Sequence, residues 1–400
     1  MLVPKLRFKR EDGTDYPEWE EKLFGTTVLI ERGGSPRPIK QYITNGDGYN
    51  WVKIGDAPEH GRYITRTAEK IKKSGLNKTR QVFKGDLILS NSMSFGKPYI
   101  MAIDGCIHDG WLLIRNNQNV YDLIYLCYLL GIENMLKQYK SLAGGSTVNN
   151  LNKDLVSMTT VCIPCLEEQQ KIADFLSTVD EVIAQSEAEV ANFEQQKKAA
   201  MQKIFSQQVR FKREDGSDYP EWEELTMREI FTEIIEKNRP DLPVLSIMQG
   251  QGTVYRANYD RNIMYDKKST VNYKVMRKGD FIIHLRTFEG GLECATLDGI
   301  SSPAYKVLRT DRLIPEAYKA YFRSIEFIDG RLAIAITGVR DGKNIEMSTF
   351  WEILVPVACL EEQQKIADFL SVYDETISYA KQELAKWKEL KKGLLQQMFV

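Results

Sequence analysis

Two series of mostly apolar positions, each stepping by seven, follow residue 165: Ile172, Val179, Ser186, Phe193, Ala200 and Leu176, Ile183, Val190, Lys197, Ile204. The same two series return towards residue 400, as Ile366, Tyr373, Ala380, Trp387, Leu394 and Leu370, Ile377, Leu384, Lys391, Met398. No Pro interrupts either stretch, and no interior Gly precedes Gly393. An a/d stripe sustained over several heptads predicts a long helix that packs along another helix. A stripe two positions wide is narrower than the face a helix turns to a globular core. The seam residues are then Ile172, Leu176, Val179, Ile183, Val190 and Phe193 in one helix, and Ile366, Leu370, Tyr373, Ile377, Leu384 and Trp387 in the other. That each helix merely covers its own domain is the alternative the pattern leaves open.

The chain is built twice. The thirteen residues Cys165 to Ser177, CLEEQQKIADFLS, recur at Cys359 to Ser371, and the segment Arg7 to Glu21 recurs at 210 to 224 with only Thr14 replaced, by Ser217. In each opening segment Asp-Gly marks a turn, Tyr-Pro sets an extended backbone, and the Trp is read as the apolar anchor, with stacking on DNA as the weaker alternative. Further matches hold at an offset of 194: Lys84-Gly85-Asp86 with Lys278-Gly279-Asp280, each leading into a short apolar strand, and Trp111 to Arg115 with Tyr305 to Arg309. Helical stretches are expected near Tyr121 to Tyr139 and Pro315 to Ile325. The polar loops after the paired strands differ between the copies, which suits recognition loops on a common scaffold and equally suits solvent-exposed hairpin tips. The expected organisation is α+β, with domains at 1–160 and 209–354 and long helices at 161–208 and 355–400.

Composition adds little to this outline, with 43% apolar and 27% charged residues in a chain of net charge −1. No run approaches the roughly 18 apolar residues of a membrane span, and a cytoplasmic protein is expected. Charge distribution is more informative than net charge. Residues 22–84 carry 13 Lys/Arg against 5 Asp/Glu and residues 255–286 carry 8 against 3, whereas 159–208 carry 4 against 8. Basic stretches at matching places in two domains fit phosphate binding.

Catalytic signatures are weak. There is no Asp/Asn-Pro-Pro-Tyr/Phe and no Gly-rich strand-to-helix turn for a nucleotide cofactor. Pro240-Asp241 with Asp266-Lys267-Lys268 fits a loose nuclease pattern that lacks a counterpart in the first copy. Cys162 and Cys165 form a C-x-x-C that the second copy does not repeat, and His60, His108 and His284 have no His at the matching positions. No catalytic residue, metal site or cofactor is expected in this chain.

Together these features resemble the specificity subunit of type I restriction-modification enzymes, over nearly the whole chain. The resemblance rests on the apolar-Pro stretch followed by Glu-Gln-Gln-Lys-Ile-Ala, read at Ile163 to Ala173 and again at Val355-Pro356 and Cys359 to Ala367. Trp51 to Asp56, Lys84-Gly85-Asp86 and Gly145 to Leu151 agree with it, while the second copy departs at Leu245 to Ile247 and Gly338 to Gly342. The resemblance implies two similar target-recognition domains separated by two long helices that form an antiparallel coiled coil with pseudo-twofold symmetry. Connectivity supports the antiparallel sense, because one 140-residue domain cannot carry the chain back along a helix about 60 Å long.

The implied ligand is double-stranded DNA. In domain one the expected contacts are Arg37, Lys40, Arg62, Arg66, Lys78, Arg80, Ser92, Ser94 and Lys97. In domain two they are Arg256, Arg261, Lys267, Lys268, Arg286, Thr287, Arg340 and Lys343. The implied partners are two methyltransferase subunits, which bind S-adenosylmethionine, and optionally two restriction subunits that use ATP and Mg. The identical Leu166 to Ser177 and Leu360 to Ser371 segments are their expected docking surface. A stand-alone DNA-binding regulator and a coiled-coil scaffold remain open.

Overall fold

The computed structural model describes residues 4–59, 61–91, 95–143, 151–258, 267–284, 291–337 and 344–400, with backbone only at 258, 267–269 and 284. The chain forms two compact units, one of residues 1–186 with 383–400 and the other of residues 187–382. Both boundaries fall inside long helices, Leu166–Phe205 and Leu360–Met398, so each unit contains a piece of both.

In the first unit, two five-stranded sheets stack. One has the order Leu29–Arg32, Trp111–Arg115, Leu87–Ser90, Pro98–Met101, Tyr63–Ile64, and the other Ile43–Thr44, Glu69–Ile71, Tyr49–Val52, Gly105–Ile107, Arg80–Val82. Side chains alternate across a strand, and here both faces are buried. Leu87, Leu89, Leu112 and Ile114 join a core beneath the helices Leu123–Gly131 and Glu133–Ala143, while Ile88, Trp111 and Leu113 fill the space between the sheets with Val52, Val82 and Ile107. This is why these strands read as unbroken apolar runs. On the far side of the second sheet a small third core of Trp51, Ile71 and Cys106 is covered by Ile39, Tyr42 and Leu76.

The second unit repeats the central strands with fewer neighbours: Thr232–Ile234, Tyr305–Arg309, Phe281–His284 and Glu293–Cys294 form one sheet, while the hairpin Leu245–Met248 with Gly252–Tyr255 and the antiparallel pair Lys274–Met276 with Gly299–Ser301 stay separate from it. The alternation is the same, with Phe281 and Ile283 in the helix-side core and Ile282 and Val307 on the opposite face. The matched motifs have a common cause. Asp86 accepts from Arg115 Nε (2.9 Å) and Nη2 (2.6 Å), and Asp280 from Arg309 Nε and Nη2 (both 2.7 Å), so each Gly-Asp turn is locked to the end of the neighbouring strand. Gly85 and Gly279 both have φ +92°, which a residue with a Cβ adopts only under strain.

The expected helices differ in detail. Near Tyr121 to Tyr139 the chain forms two helices, parted at Ile132, which is extended and buried. From Pro315 only one α-turn, Pro315–Tyr318, is followed by short turns, because Ser324 is extended and its Oγ caps Phe327 N at 3.1 Å. That break lets Tyr321, Phe322 and Phe327 pack together with Phe205 of the first long helix.

The long helices pack together, and no stripe residue is exposed: most of those towards the helix ends are buried, while Ile183, Phe193, Tyr373, Leu384 and Trp387 are half-buried. In the first unit Ile172, Ala173 and Leu176, at the head of one helix, share a core with Leu394, Leu395 and Met398 at the tail of the other. In the second unit Met201, Ile204 and Phe205 at the first helix's tail share a core with Ile366, Ala367 and Leu370 at the second helix's head. Head meets tail in both, and the pairs Glu194–Lys381 and Lys197–Asp374 run in opposite directions along the two helices, so the pair is antiparallel. Both readings of the stripe hold in part, since at its ends it also enters each unit's own core.

Candidate nucleic-acid interface

Why two stretches of sequence stay identical becomes visible at the helix heads. Glu168 is fully buried, and its carboxylate accepts from Arg7 Nε (3.0 Å), Arg7 Nη2 (2.8 Å) and Trp19 Nε1 (3.0 Å). Glu362 repeats this with Arg210 Nε (3.3 Å), Arg210 Nη2 (2.9 Å) and Trp222 Nε1 (2.9 Å). The next residue, Gln169, accepts from Asp122 N and donates to Val120 O and Pro164 O, and Gln363 does the same with Ile314 N, Arg312 O and Ala358 O. The opening segment and helix head are thus two halves of one clamp. Even the single difference preserves it, because Thr14 Oγ1 and Ser217 Oγ each donate to the turn Asp at 2.6 Å. That hydroxyl holds the Asp12 and Asp215 carboxyls below their ordinary value.

The repeated helix head therefore has two faces. Glu168, Gln169, Ile172, Ala173 and Leu176 point inward, whereas Leu166, Glu167, Gln170, Asp174 and Phe175 are exposed. Sequence reasoning took the identity for a docking surface, or for the like needs of two equal coiled-coil halves, and missed the buried carboxylate. Its signal was present, since a partner-binding face needs no invariant residue on its inward side.

The basic stretch of the first unit converges on the third core. Two 3-10 turns, Ile39–Gln41 and Lys73–Lys78, meet there, joined by Lys72 N to Tyr42 O (2.8 Å) and Lys72 Nζ to Gln41 O (2.9 Å). Lys78 Nζ donates to Tyr42 OH at 2.7 Å. Lys40, Lys72, Lys73 and Lys78 are all exposed around this cap, and Lys70 is exposed on the other face of the strand that carries Ile71. Arg37 is 76% exposed, only loosely paired with Asp109 at 3.8 Å, and Arg80 borders the cap, paired with Glu31 at 3.0 Å. Ser35 and burial act oppositely on Asp109, and the hydrogen bond from Ser35 keeps its carboxyl low and charged. Lysines crowding one exposed face with a Tyr among them make an electrostatic footprint for phosphates. Lys70, Lys72 and Lys73 were not among the residues expected from sequence, although the run of charge contained them.

The remaining expected contacts scatter. Arg66 is exposed, and Lys97 donates to Glu59 O at 3.2 Å. Arg62 faces the other way, held by Tyr128 and Asp180 against the first long helix. In the second unit Arg256 donates to Ser246 Oγ at 3.2 Å, and Lys267 and Lys268 open a 3-10 turn. Ser92, Ser94, Arg261, Arg286, Thr287, Arg340 and Lys343 lie outside the described residues.

Among the described residues no group of three or more His, Cys, Asp or Glu could hold a metal ion. Burial pushes the Cys106 and Cys127 thiols up to about 11 and Cys294 up to about 12, away from a reactive thiolate. No described helix is long and apolar enough to cross a membrane.

The chain belongs to the type I restriction modification DNA specificity domain family, whose profile matches residues 18–192 and again residues 220–389. It is a DNA specificity subunit of a type I restriction-modification system, the non-catalytic subunit of such an enzyme. It is 23% identical over 425 residues to the type I restriction enzyme MjaVIII specificity subunit of Methanocaldococcus jannaschii, covering 97% of this chain and 94% of that protein. Its fold is similar to a solved chain from the complex assembly of the type I R-M system (TM-score 0.60, 18% identity, 96% of this chain and 97% of that one). It is also similar to the type I S subunit from M. genitalium (TM-score 0.55, 15% identity, 100% and 99%).

Proposed function

We propose that this chain reads a bipartite, asymmetric double-stranded DNA target, one domain per half-site, and directs adenine methylation or cleavage by partner subunits in the cytoplasm. The observation that carries the proposal is the double match to the specificity family across two units whose clamps agree while their outer parts differ. Like scaffolds with unlike surfaces suit unlike half-sites. In the first unit the lysine cap, with Arg37 and Arg80, supplies phosphate contacts, which give affinity rather than sequence reading. The expected contacts of the second unit stay as proposed from sequence.

Two methyltransferase subunits, using S-adenosylmethionine, and optionally two restriction subunits, using ATP and Mg, supply the chemistry, and this chain itself holds no cofactor. The exposed faces of the two helix heads, with Leu166 and Phe175 in one and Leu360 and Phe369 in the other, offer the same surface twice. That equivalence supports one methylating subunit at each. Mapping methylated adenines in DNA from cells carrying this chain and its partners tests the reading. Two half-sites parted by unread bases are expected, and a continuous target overturns it. A chain that purifies without any methyltransferase would favour a stand-alone regulator.

A further inference from the structure

Arg62 belongs to a junction that the other unit rebuilds from different residues. Asp180, on the first long helix, accepts from Arg62 Nη2 (2.5 Å) and Tyr128 OH (2.6 Å) at Oδ2, while its Oδ1 meets Lys391 Nζ (2.5 Å) of the second helix. Arg62 also stacks on the Tyr128 ring, 4.5 Å from its centroid. Only 17% of its side chain is exposed, and Nη1 is buried with no hydrogen-bond partner among the described residues. Nη2 is thus taken up by Tyr128 and Asp180, and Nη1 is shut away from solvent.

In the second unit the matching helix residue, Asp374, meets Lys197 Nζ at Oδ1 (2.5 Å) and Lys319 Nζ at Oδ2 (3.2 Å). Asp180 corresponds to Asp374, and Lys391 to Lys197, by the repeat of the helices. The third ion does not correspond. Arg62 precedes the strand Tyr63–Ile64, whereas Lys319 follows the turn Pro315–Tyr318, and the first-copy position matching Lys319 is Tyr125. Common ancestry explains the two shared members. It does not explain a cation from the reading domain closing the same carboxylate by two routes.

We propose that each three-way junction positions its reading domain on the helix pair, with Arg62 and Lys319 as positioning residues rather than DNA contacts. Seam lysines at a/d positions already specify register at a cost in stability. A domain cation sharing their carboxylate ties the pose of the domain to that register, because any shift leaves a partly buried charge unmatched. The inference rests on the proposed reading of a two-part target, in which pose sets where each half-site must lie.

The test uses the full chain, with exposed Thr65 and Glu181 changed to Cys for spin labels and the native Cys165, Cys294 and Cys359 changed to Ser. Without DNA, the Thr65–Glu181 distance distribution should be narrow in the parent, broader in Arg62→Met and narrow again in Arg62→Lys. An unchanged width in Arg62→Met overturns the proposal. Should Arg62→Met fail to fold, Arg62→Met with Asp180→Leu and Lys391→Leu removes all three charges together, an exchange that is often neutral or stabilising. A narrow distribution in that variant overturns the proposal equally. With the methyltransferase complex and the mapped target as duplex probe, Arg62→Met should leave the slope of log affinity against log salt unchanged. It should also reduce about tenfold or more the preference for the native spacer over one longer by a base pair. A slope flatter by about one makes Arg62 a phosphate contact and overturns the assignment. A parent that marks no two-part site would sink the functional reading instead, while the spin-label distances still judge the junction.

Discussion

At the scale of single residues, buried carboxylates organise this protein more than any basic side chain does. Glu168 has no solvent exposure and three charged or N–H donors on its two oxygens, so replacing it with Ala leaves Arg7 with its partner gone. Breaking such a pair costs about 3–5 kcal/mol, and the lower end applies because Arg7 is 21% exposed and can recruit water. Glu168→Ala should therefore destabilise the first unit by about 3 kcal/mol, and Glu362→Ala the second by a similar amount, as read from the two transitions in denaturant unfolding. Asp374 carries a pH dependence. Burial alone would raise its carboxyl, but Lys197 and Lys319 outweigh burial and lower it below the ordinary 3.8. A lowered native value stabilises above the unfolded value, and that stabilisation is lost as pH falls through the native one. The stability difference between the parent and Asp374→Asn should therefore be constant near neutrality and shrink below about pH 4. A difference that grew on acidification would contradict the sign.

At the scale of elements, the third core and its two 3-10 turns make a small platform whose apolar residues serve to present lysines. Ile71 and Trp51 are buried beneath it, while Lys72, Lys73 and Lys78, in and beside the second turn, are exposed to solvent. Changing Lys72, Lys73 and Lys78 together to Gln leaves that core intact and removes up to three phosphate contacts. DNA binding should weaken on all sequences, with the salt slope flatter by about 2 to 3, measured by affinity titration at several salt concentrations. An unchanged slope would remove this face from the interface. The basic run was legible in the sequence, but its focus was not, because Tyr42 and Lys72 meet only when two separate turns pack side by side. Arg62 shows the converse. A basic residue within a basic run is indistinguishable by sequence from its neighbours, and only the approach of Asp180, far along the chain, gives it a different task.

At the scale of the whole molecule, the helix pair acts as a ruler between reading units, on the proposed function. One heptad added to each long helix at matched places preserves the stripe and lengthens the pair by about 10 Å, at about 1.5 Å per residue. The unread spacer should then grow by roughly three base pairs, at about 3.4 Å each, with both half-sites unchanged. Two residues inserted before Ile183 alone would instead turn Ile183 and Val190 out of the seam, and methylation should be lost rather than re-spaced. Mapping methylated adenines distinguishes the two, and an unaltered spacer after the matched heptads would refute the ruler.

The sequence by itself determined whatever repeats at short period or is written twice. The stripe of step seven made Leu166–Phe205 and Leu360–Met398 long helices, the Gly-Asp pairs marked turns before buried strands, and duplicated segments announced two units. These are local properties, carried by neighbours a few positions apart and by the chemistry of the backbone. Tertiary structure decided which cation meets which carboxylate. Arg7 with Glu168 and Arg62 with Asp180 are joined across more than a hundred residues, and a charge's partner is fixed by how the layers between them pack. It also decided that the helix expected from Pro315 breaks into turns, since the space for Tyr321, Phe322 and Phe327 beside Phe205 exists only once the helix tail has been laid into that core.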